Sequence, residues 1–178
     1  KPHFITTESV IFENQKEMSK IGKLKIFVSS NNFFSLKNIE VKDLIFENAN
    51  FNLNQKNYSF LIDLLNKNFK ESDLIIRNSN IFFRNLEDEV LFINKILKMK
   101  FYYDQKELKN IFYSDNEIFN IPFSLETFFN EDKSKIFSQI SINLLKLKVD
   151  NVLTLSDIKK TGISQIIINK SKQTIEYQ

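Results

Sequence analysis

LIFENANFNLN, residues 44–54, is followed thirty residues later by LIIRNSNIFFRN, residues 74–85. Both read Leu-Ile, two free positions, Asn-x-Asn, an apolar residue, a free one and another apolar residue. The shared skeleton is Leu44, Ile45, Asn48, Asn50, Phe51 and Leu53 against Leu74, Ile75, Asn78, Asn80, Ile81 and Phe83. Asn accepts the left-handed backbone that tight hairpins need. On that ground Asn48–Asn50 and Asn78–Asn80 are read as turns and the repeat unit as a hairpin.

Outward from the repeat, strand patterns dominate. Leu24, Ile26 and Val28 alternate with Lys23, Lys25 and Ser29, with Phe27 out of step, and Ile39 and Val41 carry the pattern into the first repeat. Between the repeats Tyr58, Leu61, Ile62, Leu64, Leu65 and Phe69 recur at helical spacing behind Asn57 as a cap, which predicts a short amphipathic helix. Residues 12–20 and 155–160 could each hold a helical turn or two, without a convincing apolar stripe.

From Asp73 onward the rhythm is period two. Leu97, Met99, Phe101 and Tyr103 oppose Lys98, Lys100 and Asp104; Phe119, Ile121, Phe123 and Leu125 oppose Asn120, Ser124 and Glu126. Pro122 places that strand at an edge or bulge. Ile136, Ile140, Ile142 and Leu144 continue the rhythm, which slips by one at Leu145, where a bulge or turn is expected before Leu147 and Val149. Polar clusters at LEDE (86–89), SDNE (114–117) and NEDK (130–133) supply turns at antiparallel spacing. The expected fold is mainly β: an extended antiparallel meander of roughly eight strands with one short amphipathic helix. One helix cannot cover such a sheet. Either it folds over on itself around an ordinary closed core, as a structural or adhesive module would, or it stays open as an apolar groove.

Composition excludes more than it assigns. Without cysteine there are no disulfides, thiolate metal sites or cysteine nucleophiles, and with two glycines no phosphate-cradling loop. About half the chain is Lys, Ile, Phe, Asn or Tyr, all residues with AT-rich codons, so its nineteen Phe carry less weight than their number suggests. The net charge of +3 is dispersed over 178 residues, as on a solvated surface rather than a polyanion patch. His3 has no partner His or Cys in the sequence and reads as a surface residue. Glu87 to Glu89, Asp115 with Glu117, and Glu131 with Asp132 fall in predicted turns without calcium-loop spacing. The stretch from Lys95 to Asn110 interleaves Lys with aromatic residues, but alternation leaves only Tyr102 beside the lysines, so nucleic acid is not expected. No metal, cofactor or catalytic constellation is expected either, and no apolar run reaches the roughly 18 residues of a membrane span. The absence of an initial Met fits both a mature start after cleavage and a fragment of a longer protein, and the fragment is the expectation.

FFSLKNIEVKDLIFENANFNLNQKNYSFLIDLL, residues 33–65, resembles the AsmA-like family of bacterial envelope proteins. Ile39, Val41, Leu44 and Phe46 stand where that family has an apolar strand, Phe51 and Leu53 in its I-x-L strand, and Tyr58, Leu61 and Leu64 in its x-x-L-x-x-L helix. LIIRNSNIFFRN is similar to the next strand pair and residues 119–129 to the strand after it, so the resemblance spans most of residues 33–149. It implies a taco-like β-groove through which phospholipid acyl chains pass between the two membranes, on the periplasmic side of the inner membrane, with a membrane anchor outside this chain. Within residues 1–178, it casts 23–72 as a hairpin-plus-helix unit and 73–170 as the meander. The groove-lining candidates are Leu97, Met99, Phe101, Tyr103, Phe119, Ile121, Phe123, Leu125, Ile140, Ile142 and Leu144.

Overall fold

The computed structural model describes residues 2–13, 16–30, 40–54, 56–57, 67, 69–155 and 160–178. They form one open sheet of eleven strands whose order in space is their order in sequence. The strands are β1 (His3–Glu13), β2 (Lys16–Val28), β3 (Val41–Leu53), β4 (Asp73–Arg84), β5 (Val90–Asp104), β6 (Lys109–Ile118), β7 (Ile121–Phe129), β8 (Lys135–Ile142), β9 (Leu147–Thr154), β10 (Thr161–Ile168) and β11 (Ser171–Tyr177). All neighbours are antiparallel except β3 and β4. The expected helix falls mainly on residues 58–66 and 68, which lie outside the described residues.

The repeats are not hairpins. Asn48 and Asn78 are left-handed, with φ of 57° and 48°, yet each sits inside an unbroken strand. The two strands lie side by side and parallel, and every paired residue is thirty positions from its partner: Leu44 with Leu74, Asn50 with Asn80, Leu53 with Phe83. The repeat offset is therefore the strand register. Asn80 Nδ2 donates to Asn50 Oδ1 at 3.0 Å, so the repeated Asn forms a rung between the copies. Parallel neighbours need a crossover connection. Phe69, from that connection, is buried and stacks on Phe101 with ring centroids 5.6 Å apart.

A single left-handed residue in a strand shifts the alternation by one and moves every later side chain to the opposite face. In β3 the inward set passes from Leu44 and Phe46 to Ala49, Phe51 and Leu53; in β4 it passes from Leu74 and Ile76 to Ser79 and Ile81. The neighbouring strands switch at the same level. The registers place Glu8 (φ 56°) opposite Gly22, Gly22 opposite Asn48, and Asn78 opposite Leu97. A Cβ on Gly22 would come within 3.1 Å of the Asn48 Cβ and carbonyl oxygen, so glycine fits the tight crossing. This crease runs across five strands and stops at β6, because Leu97 is an extra residue against it: Ile96 pairs with Asn116 and Lys98 with Asp115. From β6 on, alternation is unbroken within the strands.

Other turns correct the sequence reading. Ser114 to Glu117 lie within β6 rather than in a turn; Ser114 and Asn116 are buried and hydrogen-bonded to each other, Nδ2 to Oγ at 2.6 Å, which satisfies polarity that resembles a loop in sequence. The turn is at Phe119 and Asn120, both left-handed. Pro122 is in an interior strand, neither edge nor bulge; it is tolerated because the ladder from β7 to β8 begins beyond it, at Ser124. The slip near Leu145 is a turn, a short 3-10 segment (Asn143–Leu145) closed by left-handed Lys146. Residues 12–13 and 16–20 are strand, not helix. Phe27, out of step in sequence, pairs with His3, their rings 5.1 Å apart.

Candidate functional site

Register carries the inward positions across the sheet in rows. One row runs Leu24, Phe46, Ile76, Met99, Ser114, Leu125, Ile140, Val149, Ile166. The next passes through Ile21, Ile96, Asn116 and Phe123. Alternation along β8 sets Ile142, paired with Leu147, beside Ile140 on this face. The candidates Met99, Phe101, Tyr103, Ile121, Phe123, Leu125, Ile140 and Ile142 all fall on this face. Leu97, Phe119 and Leu144 do not join them. Leu97 is the extra residue of the crease and is 42% exposed; Phe119 in its turn and Leu144 in the 3-10 segment are 78% and 71% exposed. Simple alternation, carried through a bulge and two turns, placed them wrongly.

The face is not uniform along the sheet. From β2 to β5 it is a buried core of Ile21, Ala49, Phe51, Ile76, Ile81, Ile96, Met99 and Phe101. From β7 to β10 the same face is half-buried at Phe123, Leu125, Ile140, Ile142, Leu147, Val149 and Ile166, while Thr127 and Ile136 on it are buried. Leu147, Val149 and Ile166 were not among the candidates. The first two follow the slip at Leu145, and the run Ile166-Ile167-Ile168 conceals which isoleucine faces inward.

Small polar groups sit at the junction of these zones. Asn94 Nδ2 donates to Asn116 Oδ1 at 3.3 Å, while Asn94 Oδ1 and, farther along the core, Ser19 Oγ are buried without a partner. The opposite face mixes ion pairs with an apolar row of its own, Tyr102, Ile111, Phe128, Phe137, Val152 and Ile163, in which Ile111 is buried and Phe128 stacks on Phe137. Lys25 bonds Glu47 at 3.0 Å and holds its carboxyl below the usual carboxylate range; Lys100 meets Asp73 at 2.7 Å and lies 4.3 Å over the Tyr102 ring. Tyr113 donates to Asp115 Oδ1 at 2.6 Å, and that bond, with burial, pushes its phenol up to about 12. Unlike charges opposed across strands suit a solvated sheet face.

Among the described residues no cluster of His, Asp or Glu could hold a metal ion, and no helix is long and apolar enough to cross a membrane. The chain matches no protein-family model and no curated protein.

Proposed function

We propose that the chain is a segment of a lipid-binding groove in a bacterial envelope protein, holding phospholipid acyl chains on their way between inner and outer membrane. One observation carries this reading: the apolar row Leu125, Ile140, Val149 and Ile166, flanked by Phe123 and Ile142, is half-buried with no second layer over it among the described residues. An apolar sheet face needs a cover. Four adjacent strands at about 4.8 Å spacing make the row roughly 14 Å long, close to the roughly 15 Å of hydrocarbon in one leaflet, half of about 30 Å. Each methylene laid in it gains about 0.8 kcal/mol without any directional bond. The resemblance of residues 33–149 to AsmA-like proteins supports the envelope setting, the periplasmic side of the inner membrane, and an anchor outside this chain. The reading needs no catalytic group.

The test is to express the chain in bacteria, purify it and examine it by native mass spectrometry, then to challenge it with a phospholipid carrying a photoreactive acyl chain. Co-purified phospholipid and crosslinks at Leu125, Ile140 or Val149 are expected. A lipid-free protein that takes no crosslink overturns the proposal.

A further inference from the structure

Beside the apolar row, two residues along each strand, register draws a polar row across the same inward face. Thr127 stands opposite Ser138, Ser138 opposite Asn151, and Asn151 opposite Ser164. Thr127 is buried and the other three are half-buried. Asn151 is held firmly at the centre of this row. Its Oδ1 accepts from Ser164 Oγ at 2.8 Å and from the Tyr177 hydroxyl at 2.6 Å. Gly162, opposite Tyr177, makes room for that ring, which a Cβ at 162 would strike. With its oxygen turned to Ser164 and Tyr177, the Asn151 amide directs Nδ2 away from them, and Nδ2 makes no hydrogen bond among the described residues. On the adjoining strand Ser138 Oγ accepts from Thr127 Oγ1 at 3.1 Å and keeps its own hydrogen. Two N–H groups and one O–H are therefore unused on neighbouring strands of a half-buried face.

Donors on a face that sheds water need an acceptor. Its kind follows from charge. Within strands β6 to β10 the inward positions include no Lys, Arg, His, Asp or Glu, so a phosphate or a free carboxylate would meet no counter-charge here. A neutral carbonyl oxygen brings two lone pairs and no charge. The polar row also lies about 7 Å from the row of Leu125, Ile140 and Val149, within a few bonds of a chain laid on it. We propose, resting on the lipid-groove reading above, that Asn151 and Ser138 hold the ester carbonyl of an acyl chain. The groove thereby selects ester-linked chains, and the charged headgroup stays off this face.

The experiment sets two lipids to compete with the photoreactive phospholipid for the full 178-residue chain. They are diacyl phosphatidylglycerol and its dialkyl ether, alike in headgroup and chain length, the ether lacking both carbonyls. The diacyl lipid should compete about tenfold better, as one or two neutral hydrogen bonds contribute. Asn151→Asp keeps the acceptor for Ser164 and Tyr177 but removes both N–H donors, and Ser138→Ala removes the hydroxyl with little change in volume. Each should draw the ratio of the two lipids toward one. Because the ratio is taken within one folded sample, a loss of stability does not move it. A wild-type ratio of one overturns the proposal and leaves the groove standing. A ratio unchanged in both variants overturns the assignment to Asn151 and Ser138. If the photoreactive lipid does not crosslink at all, groove and ester site fall together.

Discussion

At the residue scale, Asn48 and Asn78 do what only a few residue types do cheaply. A left-handed backbone costs an ordinary L-residue about 1–2 kcal/mol, a penalty that Asn reduces and Gly escapes. Both side chains are exposed, so replacement tests the backbone and little else. Asn78→Ala is expected to destabilise by about 1 kcal/mol and Asn78→Gly to be near neutral, read from urea midpoints. Equal midpoints for all three would mean that φ at this position is not what selects Asn. Tyr113 makes a second prediction. Its phenol is raised in the folded chain, so the associated stability is complete below the ordinary tyrosine value near 10 and is lost as pH climbs through about 12. In an absorbance titration Asp115→Asn should move one phenolate transition down from about 12 toward that ordinary value; superimposable curves would show that the Asp115 bond is not its cause.

At the scale of elements, the pairing of β3 with β4 explains why the sequence says one thing twice. In parallel strands without slip, each residue meets its own copy, so Leu44 needs Leu74 beside it and Asn50 needs Asn80. The crease breaks the ladder between Glu47–Arg77 and Asn50–Asn80, and there a side chain replaces backbone pairing: Ser79 Oγ accepts from the Ala49 N–H at 3.0 Å and donates to the Arg77 carbonyl at 2.7 Å. Ala49 and Ser79 are both fully buried, so no water can substitute. Ser79→Ala should therefore cost about 1–3 kcal/mol, the desolvation penalty of an orphaned amide. Fast hydrogen exchange at the Ala49 amide should accompany the loss; an unchanged exchange rate would mean that another acceptor serves it.

At the scale of the whole molecule, burial changes along the inward row that holds Ile96 and Phe123, and one substitution can be read at both. Ile96 is 0% exposed and Phe123, two strands away in the same row, is half-buried. Ile96→Asp buries an unpaired carboxylate and should unfold the chain, an effect of several kcal/mol. Phe123→Asp should cost less than about 3 kcal/mol, within the ordinary range for a side chain that reaches water, and should abolish acyl-chain crosslinking. Melting and crosslinking measured on both variants separate the two readings. If Phe123→Asp melts like Ile96→Asp, the face is closed core along its whole length; if it stays folded and still crosslinks, Phe123 does not line the groove.

Sequence alone determined the β class, the meander from β4 onward, and the two repeats whose offset is also their register, because hydrophobic period and turn chemistry are local properties. It also pointed to left-handed backbone within Asn48–Asn50 and Asn78–Asn80, since that preference belongs to the residue type, and the structure puts it at Asn48 and Asn78. Whether a left-handed Asn closes a hairpin or creases a continuous strand was decided only by tertiary structure, by what stood opposite: Gly22 leaves room for Asn48, and Leu97 takes up the extra residue before β6. Leu97 looked inward because parity was carried through a bulge that only its neighbours reveal. Ser114 and Asn116 looked like a turn because their polarity is satisfied by each other and by Asn94 across the sheet. The same side-chain types occur before and after β6, and pairing, not composition, decides which of them are buried and which remain half-open.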